Sequence, residues 1–190
     1  MTPGTRRQLR PTDVKRLNRT WRRNTENRLS LILESVTGPF NVGSIFRTAA
    51  AFGADQIWLA GNATPPTNPK VGKTALGTDR LVNWHEAVPA LDAVRAAKED
   101  GYHVIAVELT SDAVPLHEAR LSRDICLILG SEDHGCSPAV LEAADETLYI
   151  PQVGRVGSFN VATAAAITLA EVRRQEWSST PSPSAANESP

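Results

Sequence analysis

The chain has 190 residues, of which 41% are hydrophobic and 22% are charged, and its formal net charge is −1. A chain of this length suits one domain of ordinary size that buries a substantial core. Two cysteines, Cys126 and Cys136, exclude a disulfide framework or a cysteine-based zinc site, and the sequence contains no apolar run of the roughly 18 residues needed to span a bilayer. We therefore expect a cytoplasmic protein without a bound metal.

The charge is distributed unevenly along the chain. Residues 1–28 contain nine basic and two acidic side chains, a net +7, so residues 29–190 carry −8. A basic arm on an acidic body is typical of contact with a polyanion such as RNA, although a solvated, partly disordered tail has the same composition. Trp21 favours RNA, because an aromatic ring among arginines can stack on an unpaired base.

Residues 29–177 alternate short apolar runs with helical patterns. Strands are predicted at 29–34, 56–59, 102–107, 125–129 and 148–151, and helices at 42–52, 86–100, 138–144 and 161–177. Asn41 and Ser137 are the expected caps of the first and third helices, and three prolines at 65, 66 and 69 indicate an exposed loop. The alternation predicts a parallel α/β sheet with helices on both faces, and residues 178–190 are predicted to be disordered.

Three loops that leave predicted strands carry unusual polar residues. Ligands of open α/β sheets bind at the carboxyl ends of the strands, which directs attention to residues 35–43, 130–137 and 151–160. In the first loop, Gly43 and Arg47 share a helix face, so the missing side chain would leave space beside the guanidinium. A capping asparagine, a packing glycine and a surface arginine would explain the same residues.

The second and third loops are rich in glycine. Glycines at 130 and 135 let backbone groups approach a ligand closely, but such a turn is weak evidence alone. His134 beside Asp133 could take part in acid–base chemistry, although a single loop histidine is more often a hydrogen-bonding surface residue. The third loop, residues 150–162, leads directly into a helix, where backbone amides and small polar side chains converge; a simple helix cap at Ser158 or Asn160 remains an alternative.

Taken together and in order, the three segments resemble the motifs of the SpoU/TrmH methyltransferases of the SPOUT superfamily. The matching patterns are Asn-x-Gly-x-x-x-Arg at 41–47, Leu-Gly-x-Glu-x-x-Gly-x-Ser at 129–137 and Ile-Pro-x-x-Gly-x-x-x-Ser-x-Asn-Val at 150–161. The resemblance spans about residues 29–175. It implies a parallel-sheet SPOUT fold with helices on both faces and a C-terminal trefoil knot, a homodimer, S-adenosylmethionine as cofactor, and methyl transfer to a ribose 2′-hydroxyl of tRNA or rRNA.

The resemblance also implies which residues form the site. Residues expected to hold S-adenosylmethionine are Glu108, Leu109, Thr110, Gly130, Ile150, Val153 and Phe159, and those expected to act in catalysis or to shape the active site are Asn41, Arg47, Glu132, Ser158 and Asn160. In the family, the arginine matching Arg47 is assigned to activate the ribose hydroxyl, often across the dimer interface. Because arginine is a poor base, stabilising a developing alkoxide is the physically easier role. Glu132 is expected to order the second loop or an arginine of the second subunit.

Three departures from the family leave the RNA target open. Phe159 stands where leucine is usual, Gln152 stands where methionine is common, and a 28-residue arm replaces the separate RNA-binding domain of larger members. Two other interpretations were weighed. A non-catalytic RNA-binding module of the same fold is disfavoured by the presence of Arg47, Ser158 and Asn160. A dinucleotide-dependent oxidoreductase lacks its Gly-x-Gly-x-x-Gly fingerprint.

Overall fold

A computed structural model of the chain describes residues 7–87 and 89–178, and within them seven parallel strands form one sheet with the order β3-β2-β1-β6-β4-β7-β5. The strands are β1 (Leu29–Glu34), β2 (Gln56–Ala60), β3 (Asn83–Ala87), β4 (His103–Val107), β5 (Val114–Pro115), β6 (Ile125–Leu129) and β7 (Glu146–Tyr149). The helices are α1 (Pro11–Arg23), α2 (Pro39–Ala51), α3 (Pro69–Ala75), α4 (Ala90–Glu99), α5 (Pro138–Ala143) and α6 (Val161–Ser178), with a 3-10 turn at Thr78–Arg80.

Helices cover both faces of the sheet, as predicted. Successive side chains of a strand point to opposite faces, and β1 divides accordingly between two core clusters. Leu31 packs in the cluster that contains Phe46 of α2 and Leu169 of α6, whereas Ile32 packs in the cluster that contains Val94 of α4 and Val140 of α5. The predicted parallel α/β sheet is therefore confirmed, while the trefoil knot stays a prediction.

The central strands β1 and β6 have the predicted bounds. β6 is a continuous apolar run, β1 is apolar except for Ser30 and Glu34, and every residue of each strand is buried. The other predicted strands differ by one or two residues at an end, and β7 lies two residues earlier than expected. Because β1 and β6 are neighbours with Leu33 opposite Leu129, the loops that follow them emerge side by side. This register places the first two motif segments in contact.

Several elements between β2 and β6 differ from the predictions made from sequence. The helix expected at 86–100 begins only at Ala90, because residues 83–87 form the edge strand β3, whose polar sequence does not look like a buried strand. The proline-rich segment is not only a loop: Pro69 is the first residue of α3, where Asn68 Oδ1 caps the helix by accepting a 3.0 Å hydrogen bond from the Lys70 amide. The two-residue strand β5 was also not predicted.

The basic arm contains a helix that is attached to the body. Trp21 of α1 packs on Trp177 of α6 with ring centroids 4.8 Å apart, and α6 ends at Ser178, the first residue of the predicted disordered tail. The rest of that tail, 179–190, and residues 1–6 of the arm lie outside the described residues. The division into an arm at 1–28, a domain at 29–177 and a tail stays a prediction. None of the helices in the described segments has the length and apolar character needed to cross a bilayer.

Candidate active site

A cleft of about 830 Å³ lies at the carboxyl ends of the strands, where the predicted site residues were expected. Its walls come from the segments that follow β4, β6 and β7. Parallel strands deliver their following loops to the same edge of the sheet, so residues distant in sequence meet there. The cleft is thus bounded by the second and third motif segments and by residues 107–109.

A directional chain of hydrogen bonds joins all three motif segments. Asn160 Oδ1 accepts hydrogen bonds from the amides of Ala162 and Thr163, at 3.0 and 3.3 Å, and so caps the start of α6. Asn160 Nδ2 donates to Asn41 Oδ1 at 3.0 Å, and Asn41 Nδ2 donates to Glu132 Oε1 at 2.9 Å. Each of the two asparagine side chains has one orientation that satisfies both of its neighbours. These hydrogen bonds therefore fix the three motif segments relative to each other.

The prediction that Asn41 caps a helix starting at residue 42 is wrong. Helix α2 begins three residues earlier, at Pro39, whose restricted backbone suits the first helical position, and its N-cap residue is Gly38. Asn41 therefore lies in the first turn of α2, and its side chain is free to bond to Asn160 and Glu132 instead.

Glu132 is the last acceptor in this series of hydrogen bonds. Besides the Asn41 amide, its carboxylate accepts backbone N–H groups of Gly38, at 3.1 Å, and Thr37, at 3.3 Å. Burial acts to raise the pKa of Glu132, but the hydrogen bonds from Asn41, Gly38 and Thr37 outweigh it and hold that pKa below its ordinary value. The carboxylate is therefore ionised at neutral pH, and its lone pairs are engaged by the first motif segment.

The glycines of the second motif serve the loop itself. Ser131 and Gly135 pair in an antiparallel bridge, and a Cβ at Gly130 would overlap the backbone of Gly135 and Cys136. Gly135 has a φ of +67°, and a Cβ there would overlap the carboxylate of Glu108. Both positions line the cleft, but their lack of a side chain is already required by this tight turn, whether or not a ligand approaches the backbone.

Two further carboxylates accept hydrogen bonds from the second motif. The sequence alone did not indicate this role for either of them. Glu108 Oε2 accepts the Cys136 amide at 3.0 Å, and Glu108 Oε1 accepts the Leu109 amide at 3.1 Å. Glu34 accepts both the amide and the hydroxyl of Ser137, at 2.9 and 2.6 Å, so the Ser137 side chain bonds to β1 and does not cap α5. The signal available in the sequence was a glutamate ending the otherwise apolar strand β1.

Arg47 lies outside the cleft of its own chain. Its side chain is exposed on α2, and it makes no hydrogen bond or ion pair with any residue that the structure describes. The expectation that Gly43 leaves room for the guanidinium is wrong: a Cβ at Gly43 would overlap Thr74 Oγ1 and crowd the Val71 carbonyl, so the space is filled by α3. Gly43 is a helix-packing residue, and Arg47 is available to a molecule outside this chain.

The structure brings most of the predicted residues together. Eight of the twelve line the cleft, namely Glu108, Leu109, Gly130, Glu132, Ile150, Ser158, Phe159 and Asn160. Asn41 joins them through its hydrogen bonds, whereas Arg47, Thr110 and Val153 do not line it. Thr110 donates a 2.7 Å hydrogen bond to Asp112, and the Val153 side chain is fully exposed. The individual roles of these residues stay predictions.

The cleft suits an organic ligand with a flat apolar part and a positive charge. Leu109, Ile150 and Phe159 line it, together with the acidic residues Glu108 and Glu132. Within the described segments, no group of three or more His, Cys, Asp or Glu side chains is placed to hold a metal ion.

Comparisons with known proteins all indicate the same family. The model of the SpoU rRNA Methylase family matches residues 28–170. The chain is 37% identical over 155 residues to an uncharacterized tRNA/rRNA methyltransferase of Synechocystis, covering 81% of this chain and 56% of that protein. It is 34% identical over 149 residues to the tRNA (guanosine(18)-2′-O)-methyltransferase of Thermus thermophilus, covering 77% and 75% respectively.

A solved structure gives the same result as the family model and the two relatives. The AdoMet-bound rRNA methyltransferase of Sinorhizobium meliloti superposes with a TM-score of 0.74 at 31% identity, over 80% of this chain and 57% of that one. The chain thus spans less than two thirds of the length of the Synechocystis protein and of the S. meliloti structure.

Proposed function

The chain belongs to the SpoU rRNA methylase family, and we propose that it transfers a methyl group from S-adenosylmethionine to a ribose 2′-hydroxyl of tRNA or rRNA. The observation that carries the proposal is the hydrogen-bond chain from Asn160 through Asn41 to Glu132, which holds three motif segments around one cleft. The Thermus thermophilus relative is named as a tRNA 2′-O-methyltransferase, and the S. meliloti structure contains AdoMet.

The residues of the cleft fit this cofactor. Apolar contacts from Leu109, Ile150 and Phe159, with backbone groups at Glu108, Leu109 and Gly130, would hold its adenine and ribose. S-adenosylmethionine supplies an electrophilic methyl group on a positively charged sulfonium. The carboxylates of Glu108 and Glu132 give the cleft the matching negative charge.

The proton of the ribose hydroxyl must leave as the oxygen attacks, and the structure limits which residues can assist. Glu132 is a poor base here, because its pKa is lowered and its oxygens already accept three hydrogen bonds. Asn41 and Asn160 do not titrate in water, so their role is to position the loops and the substrate. We therefore assign Arg47 to stabilising the developing alkoxide, while the hydroxyl proton passes to solvent water.

We further propose that the protein is a cytoplasmic homodimer in which Arg47 of one subunit serves the cleft of the other. The resemblance implies this arrangement, and the exposed position of Arg47 outside its own cleft supports it. In such a dimer, a residue without a partner in its own chain completes the neighbouring site. The same contact would explain why α2 carries an exposed cation, Arg47, that pairs with none of the described residues.

Two measurements test the proposed function. Calorimetry should show one S-adenosylmethionine bound per chain, and purified protein should transfer the tritiated methyl group to total RNA from a strain that lacks the gene. Mapping ribose methylations lost from that strain would identify the nucleotide. Binding of RNA without binding of S-adenosylmethionine would instead support a non-catalytic RNA-binding module.

A further inference from the structure

One face of α1 presents five basic side chains. At about 100° per residue, Lys15, Arg16, Arg19, Arg22 and Arg23 fall within one sector of about 120°, which we call the basic face. All five side chains are exposed, and none forms an ion pair with any residue in the described segments. No residue of α1 is buried, and packing does not explain why its charge is concentrated on one side.

The opposite side of α1 attaches the helix to the body. Trp21 packs against Trp177 with ring centroids 4.8 Å apart, and Trp177 Nε1 donates a 2.9 Å hydrogen bond to Thr25 Oγ1. Just beyond the helix, Glu176 Oε1 accepts the amides of Glu26, at 2.7 Å, and Asn27, at 2.8 Å. These contacts point the basic face away from the body. They also show that the Trp21 ring is used for docking, which argues against its stacking on a base.

The basic face is far from the cleft. Trp177 follows Asn160 by 17 residues, which along α6 corresponds to about 25 Å. The chain passes from α1 into the amino end of β1, whereas the cleft lies at the carboxyl ends of the strands. Within one subunit, α1 and the methyl-transfer site are therefore at opposite ends of the sheet.

We propose that the basic face of α1 binds phosphates of the RNA substrate at a position remote from the methylated ribose. This proposal rests on the proposed function. It follows that the preferred substrate is an RNA long enough to reach from the cleft to α1, about 25 Å away in the same subunit. Phosphate contacts of this kind position the RNA without reading its sequence.

The arrangement of α1 favours RNA over a membrane surface. A helix that binds a lipid surface inserts its apolar side between headgroups, with the basic residues flanking it. In α1 the apolar side docks through Trp21, which packs on Trp177, while Val14 and Leu17 on that side are 40% and 43% exposed. The side that faces away from the body contains only charged and polar residues between positions 15 and 23. This side thus suits a hydrated polyanion.

The decisive experiment is a salt titration of binding to a 30-nucleotide RNA. Each lost phosphate contact on single-stranded RNA flattens the slope of log affinity against log salt by about 0.7, so the triple variant Arg16→Gln, Arg19→Gln, Arg23→Gln should flatten it by about 2. Glutamine is a good helix former, and unchanged circular dichroism would verify that α1 persists. Arg95→Gln on the exposed face of α4 is the control and should leave the slope unchanged. Equal slopes for wild type and the triple variant would overturn the proposal.

Methyl transfer tests the remote position. Once the modified nucleotide is mapped, the triple variant should lower kcat/KM at least tenfold on the full-length RNA but not on a five-nucleotide fragment centred on that nucleotide. An equal loss on both would place the basic face at the cleft and contradict the proposal. If wild-type protein methylates neither RNA, the proposed function fails, whereas the salt titration still tests α1.

Two further arms separate the alternatives. Vesicles of phosphatidylserine and phosphatidylcholine should bind wild type and the triple variant equally weakly. Charge-dependent vesicle binding with an unchanged RNA slope would make α1 a lipid-binding helix and overturn the proposal.

Trp177→Ala removes the ring on which α1 packs but no charge, so the salt slope should stay as in wild type. Trp21→Ala should add no further loss of RNA affinity in the Trp177→Ala background, because the rings act as one contact. A tenfold or greater additional loss would show that Trp21 itself contacts RNA.

Discussion

Asn160 Nδ2 donates a 3.0 Å hydrogen bond to Asn41 Oδ1, joining two residues that are 119 positions apart in the sequence. The direction of this bond is imposed from both ends. Asn160 Oδ1 is taken by the first amides of α6, and Asn41 Nδ2 is taken by Glu132, so neither amide can rotate without losing a partner. The start of α6 is thereby coupled to the ionised carboxylate of the second motif.

Replacing Glu132 by glutamine should break this coupling with little change in shape. The NH₂ group of glutamine would face N–H donors whose hydrogen bonds the carboxylate now accepts. These donors are the Asn41 side chain and the backbone amides of Gly38 and Thr37. We expect Glu132→Gln to lower methyl transfer at least tenfold and to reduce the free energy of unfolding by about 1 kcal/mol, since the loop is open to solvent. The matched control is Glu142→Gln, an exposed glutamate of α5 that should change neither quantity.

The stability difference between wild type and Glu132→Gln should depend on pH. Because the folded-state pKa of Glu132 lies below its ordinary value of 4.5, its ionised form contributes stability above that value. The difference in unfolding free energy should therefore be constant from neutral pH down to about pH 5.5 and shrink as the pH falls below 4.5 through the lowered pKa. Urea titrations at several pH values measure it. A difference that grows towards low pH would contradict the assignment of an ionised, hydrogen-bonded carboxylate.

Arg47→Ala should leave the fold and S-adenosylmethionine binding intact but abolish methyl transfer. The side chain is exposed and unpaired among the described residues, so the unfolding free energy should change by less than about 0.5 kcal/mol. Loss of alkoxide stabilisation should lower the rate of methyl transfer by about 100- to 1,000-fold. Arg95→Ala on α4 is the surface control, and Arg47→Lys should recover part of the rate if charge is what matters. Turnover at the wild-type rate in Arg47→Ala would refute the role of this residue.

Dimerisation can be tested together with the position of Arg47. Light scattering at micromolar concentration should give a particle of twice the 20.5 kDa chain mass, and a 20.5 kDa monomer would contradict the proposal. If Arg47 serves the cleft of the second subunit, refolding Arg47→Ala together with Asn160→Ala should restore activity. One of the two sites in a mixed dimer would then combine an intact Arg47 with an intact Asn160. No recovery, with mixed dimers formed, would place both residues in the site of one chain.

A pair of glycines separates helix packing from helix propensity. A Cβ at Gly43 would overlap Thr74 of α3, so Gly43→Ala should force α2 and α3 apart and cost about 1–3 kcal/mol of unfolding free energy. Gly72 lies within α3 with no atom within 4 Å of the Cβ it would gain, so Gly72→Ala should be neutral or stabilise by up to about 1 kcal/mol. Urea unfolding of both variants makes the comparison, and equal losses would contradict the packing role of Gly43.

The sequence identified the central strands because their signal is local. Every residue of β1 and β6 is buried, and a short, mainly apolar run bounded by turn signals is typical of a buried strand. Apart from Trp84, the edge strand β3 has a mostly polar sequence. It forms a strand because it pairs with β2, and no local sequence pattern indicates that pairing. Missing α3 also led to the wrong explanation of Gly43, since the residue that fills the space at Gly43 is Thr74.

The motif residues could be located from sequence, but their relationships could not. Spacing within each motif indicated Asn41, Glu132 and Asn160 separately, whereas their contact depends on the register that places Leu33 of β1 beside Leu129 of β6. The role of the Glu108 side chain was invisible for the same reason. Its partner, the Cys136 amide, is brought to it only when the second motif folds back at Gly135.

Arg173 of α6 is buried at the junction of the helix with the amino end of the sheet. Its guanidinium pairs with Glu176 at 2.7 Å and is 1% exposed. It also donates to the carbonyl oxygens of Asn27, Phe52 and Gly53, at 2.8, 2.9 and 3.2 Å. The residue therefore satisfies carbonyl groups from two separate chain segments, the link before β1 and the end of α2.

Replacing Arg173 by methionine should destabilise the fold far more than the same change one residue later. Methionine fills similar space, but it leaves three carbonyl groups without this donor and removes the cation beside the Glu176 carboxylate, a loss of about 3–5 kcal/mol. Arg174 is exposed and pairs with Glu171, so Arg174→Met should cost less than about 1 kcal/mol. Urea unfolding of the two variants gives the comparison directly. Similar losses would mean that the buried guanidinium contributes no more than a surface ion pair, and the attachment of α6 to the start of β1 would then have to depend on its apolar contacts.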